Sequence, residues 1–373
     1  MKTLYKNVRA YQLGGSFKRA DLIAENGTLS VAENPQSSAS NPQVSTVIDG
    51  SDFYAIPALV DIHTHGCAGF DWMSADADGI RKMCGHESAA GVTSVCPSTI
   101  SAPLNDIEAA VKRIMSFRRA DTTRPAPTIK GINIEGPFLS PKKAGAHNPA
   151  TLRAPDIAFM KRLADISDGA IKLVSIAPEL PGATEFIREV SACGIVCSVA
   201  HTTADYECAK AAFDAGARHV THLFNAMPPF NHREPSVIGA AADNPGVTVE
   251  LICDGMHLHP SVVRAAFKIF GADRIAMISD SMEATGLPDG AYTLGGYAVD
   301  VVGREARLRD GGALAGSVST LMDCLRIAVK EMGLPLADVV RAAAETPSRV
   351  ISLTAPQNTL LLDAHLNLIP YSF

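Results

Sequence analysis

The sequence predicts an α/β fold: a (β/α)8 TIM barrel with a small β domain built from the two chain ends. Eight apolar, strand-like segments alternate with helical segments between residues 56 and 349, and segments of different character flank them. Near-continuous apolar strands that alternate with helices are typical of a parallel sheet covered on its outside. Eight consecutive units favour a closed barrel over an open sheet. No GxGxxG motif follows the first strand, so the usual signal of a dinucleotide-binding fold is missing.

Residues 1–55 predict a small β module. Short strand-like segments (VRAYQL, ADLIAE and STVIDG) are separated by Gly, Asn, Pro and Ser, and residues 34–43 form a polar loop. The tail NTLLLDAHLNLIPYSF alternates like a hairpin. We therefore expect residues 1–55 and 350–373 to form one β-sandwich domain, with the barrel of residues 56–349 inserted between them.

The eight predicted barrel strands each end at or near a polar residue. In chain order they are ALVDIHTHG, VTSVCPST, IKGINIEGP, IKLVSIAPE, IVCSVAHT, HVTHLF, VTVELICDG and RIAMISDS. The segments between them include ADYECAKAAFDAGA and PSVVRAAFKIFGA, which have helical periodicity. The order of these segments is what predicts the barrel.

Composition limits the classes of partner. The chain has 33 Lys and Arg against 39 Asp and Glu, a formal charge of −6, which disfavours nucleic-acid or anionic-membrane binding. No apolar run reaches the roughly 18 residues of a membrane helix, and the N-terminus lacks the apolar region of a secretory signal. None of the eight cysteines forms a CxxC pair, so we expect reduced, mostly buried thiols in a cytoplasmic protein.

Polar side chains gather where the predicted strands end. They are His63, His65, Glu135, His201, His222 and Asp280. Residues i and i+2 of a strand face the same side, so His63 and His65 can bind one metal ion. A buried carboxylate or imidazole is costly unless it is paired or bound to metal, and barrel active sites lie at the C-terminal strand ends. Together these residues predict a metal centre.

Three loops are expected over the same barrel mouth. KKAGAHNP carries His147, NAMPPFNHREP carries Asn225 and Arg233, and DGMHLHP carries His257. Arg233 is able to clamp an anion such as phosphate, but an exposed loop arginine without such a role is an equal alternative.

These segments resemble the N-acetylglucosamine-6-phosphate deacetylase family of the amidohydrolase superfamily. The similarity runs through DIHTHG, IEGPFLSPKKAGAHNP, HTTADYECAKAAFDAGARHVTHLFNAMPP, CDGMHLHP and SDSMEATGLPDGAYTLGG. It implies a metal-dependent barrel with a terminal β-sandwich, and usually a homodimer. The implied reaction hydrolyses the N-acetyl amide of N-acetylglucosamine 6-phosphate to glucosamine 6-phosphate and acetate.

The resemblance also implies roles for single residues. Glu135, His201 and His222 match the main metal ligands, and His63 and His65 permit a second ion, with Glu135 bridging and Asp280 nearby. Asp280 matches the general base, and His147 matches the residue that contacts the scissile amide. The residues that match the sugar-phosphate site are Asn225, Ala226, Arg233 and His257. One or two ions are expected, zinc or iron(II) above all, since His and carboxylate ligands suit them.

Three alternatives stay open at this point. The substrate is either the gluco sugar or N-acetylgalactosamine 6-phosphate, which differs at C4. A second alternative is another amidohydrolase that acts on acylamino or cyclic amide substrates. Many such enzymes bridge two metals with a carboxylated lysine, but no lysine ends a catalytic strand here, which disfavours this alternative. A non-enzymatic metal-binding protein is the third alternative, and release of acetate would exclude it.

Overall fold

The computed structural model describes residues 2–32, 44–120, 128–354 and 358–371. The predicted polar loop at 34–43 lies outside the described residues. The strands are β1 (Lys2–Gln12), β2 (Ser16–Glu25), β3 (Thr28–Val31), β4 (Val44–Asp49), β5 (Tyr54–Pro57), β6 (Leu59–Thr64), β7 (Gly66–Cys67), β8 (Phe70–Asp71), β9 (Val92–Pro97), β10 (Thr128–Ile129), β11 (Ile132–Ile134), β12 (Ile171–Ile176), β13 (Val196–Val199), β14 (His219–Val220), β15 (Thr248–Ile252), β16 (Ile275–Ile278), β17 (Gly290–Leu294), β18 (Tyr297–Val302), β19 (Glu305–Leu308) and β20 (Thr359–Leu362).

The helices lie mainly between the barrel strands. They are α1 (Ala77–Ala89), α2 (Leu104–Ala120), α3 (Ile157–Ile166), α4 (Ala183–Ala192), α5 (Tyr206–Ala215), α6 (Ser236–Asp243), α7 (Pro260–Phe270), α8 (Leu321–Lys330), α9 (Leu336–Val340) and α10 (Thr346–Val350). A π-helical turn, Arg341–Glu345, joins the last two. No helix within the described ranges has the length and apolar character needed to cross a membrane.

All eight predicted barrel segments form parallel strands. β6 pairs with β9, and β10 also pairs with β9. From β11 the order is β11-β12-β13-β14-β15-β16. The sheet closes where the backbone amide of Asp280, just after β16, donates to the carbonyl of His63 in β6 over 3.0 Å. The predicted barrel is therefore confirmed.

Apolar side chains fill the space between the barrel strands and the helices. The aromatic rings of Phe138 and Phe186 meet with centroids 5.1 Å apart, and Phe159 packs on the same group. All three are fully buried. Burial of such rings stabilises the packing of helices on the barrel, and this frame holds the strand ends in fixed positions.

The chain ends share one sheet, which confirms the predicted terminal β domain. Its order is β20-β5-β1-β2-β3, with β4 also paired to β1. β20 runs antiparallel to β5, with Leu361 opposite Ala55, so the C-terminal strand joins the N-terminal module. The exact domain boundaries, at 55/56 and 349/350, stay predictions. Each falls inside one element, since β5 extends to Pro57 and α10 spans Thr346–Val350.

A three-stranded antiparallel sheet, β17-β18-β19, follows the eighth barrel strand and was missed in the sequence. Gly295 and Gly296 both have positive φ and make the tight turn between β17 and β18. Leu294 and Val299 pack with Met282 in a small core of their own. The insertion therefore places Leu294 beside the barrel mouth.

Candidate active site

Seven polar side chains of the predicted site are buried at the C-terminal mouth of the barrel, none more than 7% exposed. They are His63, His65, Glu135, His147, His201, His222 and Asp280. A cavity of about 440 Å³ opens above them. Nine of the eleven predicted site residues line this cavity, the exceptions being His63, which lies beneath it, and Arg233.

Glu135 stands between two groups of imidazoles. Its Oε2 lies 3.1 Å from His65 Nε2 and 3.5 Å from His63 Nε2. Its Oε1 lies 3.1 Å from His222 Nε2 and 3.5 Å from His201 Nε2. Asp280 Oδ1 completes the first group, at 3.4 Å from His65 Nε2. We call His63, His65 and Asp280 half-site 1, and His201 and His222 half-site 2, with Glu135 shared by both.

Hydrogen bonds fix which imidazole nitrogen faces the centre. His63 Nδ1 lies 3.0 Å from a carboxylate oxygen of Glu250, and His201 Nδ1 lies 2.7 Å from the carbonyl oxygen of Lys143. Both oxygens accept, so each Nδ1 carries a proton and each Nε2 is the nitrogen that a cation would bind. His63 Nε2 is buried and has no hydrogen-bond partner of its own.

These donors fit a divalent metal ion. The Nε2 atoms of His201 and His222 are 3.1 Å apart. Two nitrogens at 2.0–2.1 Å from a tetrahedral ion would lie about 3.3 Å apart. Nitrogen and carboxylate oxygen donors suit zinc, iron(II), manganese or cobalt. The unpartnered Nε2 of His63 and the close imidazole pair of half-site 2 are both satisfied by a cation.

His147 presents a hydrogen-bond donor. The backbone amide of Ser101 donates to His147 Nδ1 over 3.2 Å, so the proton of the neutral ring lies on Nε2. That Nε2 lies 3.4 Å from Glu135 Oε2 and lines the cavity. Although His147 stands within ligand distance of Glu135 and His201, its tautomer suits contact with a substrate oxygen better than metal ligation.

The carboxylates of the centre are held ionised. Burial alone would raise the pKa of Asp280, but its hydrogen bond with His65 and the charges of His63 and His65 hold that pKa below the ordinary value. Burial is likewise outweighed at Glu135, where His63 and His147 hold the pKa well below its usual range. Burial, followed by the neighbouring His147, lowers the pKa of His201 to about 4, which leaves a neutral imidazole.

The backbone turns sharply at three of these residues. The φ angles are 40° at His201, 28° at His222 and 50° at Asp280. Non-glycine residues rarely adopt this left-handed region, and such strain clusters at functional sites. At the end of each strand the turn directs the side chain over the barrel mouth.

The wall of the cavity carries positive charge. The imidazole of His257 is paired with Asp254 through a 2.8 Å contact between Nδ1 and Oδ2. Burial lowers the pKa of His257, but Asp254 outweighs burial and raises it. Asn225 and Ala226 line the same cavity, as do Lys142 and Lys143, which sequence reasoning missed.

Arg233 lies apart from this cavity. Its side chain is exposed and lines a neighbouring depression with Tyr206, Pro228 and Pro229. Within one chain the structure therefore does not bring Arg233 to the other predicted sugar-phosphate residues.

Sequence reasoning also missed a buried network beneath the centre. Glu250 on β15 is fully buried; it lies 3.1 Å from His219 Nε2 and accepts from the backbone amide of His222 over 3.0 Å. Asp61 accepts from the backbone amide of His63 over 3.2 Å. A charged residue inside the apolar run VTVELICDG was the available signal for Glu250.

Comparison with known proteins decides the family. The family model described as "Amidohydrolase family" matches residues 54–356. The chain belongs to the amidohydrolase family.

Two curated relatives and one solved structure are informative within this family. N-acetylglucosamine-6-phosphate deacetylase of Bacillus subtilis (strain 168) is 36% identical over 81% of this chain and 76% of its own length. N-acetylgalactosamine-6-phosphate deacetylase of Escherichia coli O157:H7 is 36% identical over 80% of this chain and 78% of its own. A mutant N-acetyl-D-glucosamine-6-phosphate deacetylase of Mycobacterium smegmatis, solved with N-acetyl-D-glucosamine 6-phosphate, has a TM-score of 0.88 and 32% identity, with 99% and 96% of the chains covered.

Proposed function

We propose that this amidohydrolase is a metal-dependent deacetylase that hydrolyses the N-acetyl amide of N-acetylglucosamine 6-phosphate to glucosamine 6-phosphate and acetate. The observation that carries the proposal is Glu135, placed between two imidazole groups at the floor of a polar cavity with Asp280 beside it. The names of the curated relatives support the substrate class.

Glu135, His201 and His222 would hold one divalent ion, and His63, His65 and Asp280 a second, with zinc or iron(II) the proposed metals. A bound cation would polarise the amide carbonyl and lower the pKa of a water molecule. Asp280 Oδ1 lies beside half-site 1, and its carboxylate is ionised, so it accepts the proton of the attacking water and then transfers that proton to the leaving amine.

His147 and the cavity wall supply the remaining contacts. His147 Nε2–H donates to the carbonyl oxygen as negative charge develops there. Asn225, Ala226 and His257 hold the sugar phosphate at the wall. These contacts to the sugar phosphate, away from the reacting bond, position the amide for attack.

We also propose a homodimer in which Arg233 reaches the phosphate of the partner's substrate. Its exposure on a proline-stiffened loop, outside its own cavity, favours action across an interface. Mixing Arg233→Ala with Asp280→Asn chains tests this directly. If Arg233 acts across the interface, a mixed dimer keeps one complete site and regains activity, whereas mixtures no more active than the separate variants would contradict it.

A cytoplasmic location completes the proposal. None of the eight cysteines, all of which lie in the described part of the chain, forms a disulfide, as expected of a reducing compartment, and a phosphorylated sugar is an intracellular class of substrate.

One assay tests the main proposal. Acetate release is measured from N-acetylglucosamine 6-phosphate and N-acetylgalactosamine 6-phosphate, with bound metal quantified in the same sample and Asp280→Asn as control. We expect faster release from the gluco substrate. Faster release from the galacto substrate would favour the alternative that the equally similar Escherichia coli relative suggests. No release from either would contradict the deacetylase.

A further inference from the structure

Glu250 is a fully buried carboxylate on β15 that lines no part of the cavity, yet it contacts His219 on the neighbouring β14 and His63 on the more distant β6. One oxygen lies 3.0 Å from His63 Nδ1, and the other lies 3.1 Å from His219 Nε2. His219 is held in turn by Thr248, whose hydroxyl lies 2.6 Å from His219 Nδ1. His219 and Thr248 therefore hold the carboxylate of Glu250 in place from the side that faces away from Glu135.

This arrangement orients one ligand in particular. The hydrogen bond from His63 Nδ1 sets the ring so that Nε2 points at Glu135 and Asp280. On half-site 2, Glu250 touches only the backbone amide of His222. The ligand His201 relies instead on the neutral carbonyl of Lys143. A charged support thus serves half-site 1, and a neutral one serves half-site 2.

Charge balance shows why a carboxylate matters here. When only neutral imidazoles and the ionised Glu135, Asp280 and Glu250 are counted, one divalent cation leaves one negative charge in excess, and two leave one positive charge in excess. Without the charge of Glu250, one cation balances the centre and two leave two positive charges in excess. In a buried site such an excess is costly, so loss of this charge disfavours the second cation.

We propose that Glu250 is a positioning residue that sets the affinity of half-site 1 for its cation and thereby determines whether the centre holds one ion or two. The inference rests on the metal centre of the proposed function. Groups that orient a metal-bound histidine commonly contribute 10- to 100-fold to metal affinity, and Glu250 also supplies charge.

Glu250→Gln tests the inference with little change of shape. The glutamine oxygen can still accept from the amide of His222, but the side chain has no charge and cannot accept from both His63 and His219. Full-length protein is stripped with chelator and dialysed against a series of free Zn²⁺ concentrations, and bound zinc is counted by mass spectrometry. Co²⁺ absorption spectra of the same samples report the ligand geometry.

The wild type is expected to bind two ions per chain, and Glu250→Gln one, with the weaker site shifted about 10- to 100-fold. The matched control is Glu87→Gln, the same change at a buried carboxylate on α1 that neighbours Asp61 and Cys67. This control is expected to bind zinc like the wild type.

Three outcomes overturn the inference. They are unchanged zinc binding by Glu250→Gln, equal loss from Glu87→Gln, and a wild type that binds one ion only. A wild type that binds no zinc would contradict the metal centre itself. Failure of the proposed function can therefore be distinguished from failure of this inference. If Glu250→Gln does not fold, ¹⁵N NMR spectra of the histidines of the zinc-loaded wild type test the proposal. The proposal expects a slowly exchanging proton on His63 Nδ1, and the absence of that proton would contradict it.

Discussion

Two groups of buried carboxylates lie close to β6 and have opposite electrostatics. Glu135, Asp280 and Glu250 stand among histidines, which lower their pKa values although burial opposes this. At Asp61 and Glu87 burial dominates and raises the pKa values to about 6 and about 8, although His63 partly lowers that of Asp61. Each of the latter keeps a buried oxygen with no hydrogen-bond partner.

The difference shows that burial alone does not make a metal site. A carboxylate surrounded by imidazole nitrogens stays ionised and is ready to share a cation. Glu87, which is buried beside another carboxylate, keeps its proton at neutral pH instead. Replacement of a carboxyl group by an amide should therefore have different consequences in the two groups.

The largest effect is expected from Glu135→Gln. Glu135 serves both half-sites, so loss of its charge weakens binding of both ions, and turnover falls below detection. Zinc content after dialysis and acetate release measure the two effects. Glu87→Gln, also a buried Glu-to-Gln change, should leave both near wild type. If Glu135→Gln retained two ions, Glu135 would not be the shared ligand.

A smaller effect is expected from Asp280→Asn, which should separate chemistry from metal binding. Loss of a general base costs about 10²- to 10⁴-fold in kcat. The ion of half-site 2 should remain, since Asp280 contacts only His63 and His65 among the candidate ligands. Measured kcat and zinc content test this, and near-normal turnover would contradict the role of Asp280 as base.

The sequence predicted the barrel and the mouth residues because both follow from local pattern. Apolar runs predict strands, and parallel strands bring their ends to one rim, so Glu135 and His222 meet although 87 residues separate them. Glu250 lies within a run rather than at its end, and pattern alone does not show which face its side chain takes. The insertion β17–β19 was missed because its alternation is short and interrupted by glycines.

Arg233 shows the other limit of sequence reasoning. A motif match gives a residue type and a chain position, but not the direction in which a long loop carries the side chain. The structure places Arg233 at a separate depression, so its predicted role now depends on a second copy of the chain.

The smallest effect, expected from Glu87→Gln, concerns stability rather than catalysis. Glu87 has a pKa of about 8 in the folded protein, because of burial and then the charge of Asp61, against an ordinary value of 4.5. Between these pH values the unfolded chain releases the proton while the folded chain keeps it. The free energy of unfolding of the wild type therefore falls as pH rises from about 4.5 to 8.

Glutamine cannot ionise, so the variant should escape this loss. At pH 4 the two proteins should be about equally stable, and at pH 8 the variant should be more stable by roughly 2–4 kcal/mol, since one pKa unit corresponds to about 1.4 kcal/mol. Denaturant unfolding at pH 4, 6 and 8, with zinc held constant, measures the difference. A gap that stays constant with pH would show that Glu87 is ionised in the folded protein, and the contrast between the two carboxylate groups would then fail.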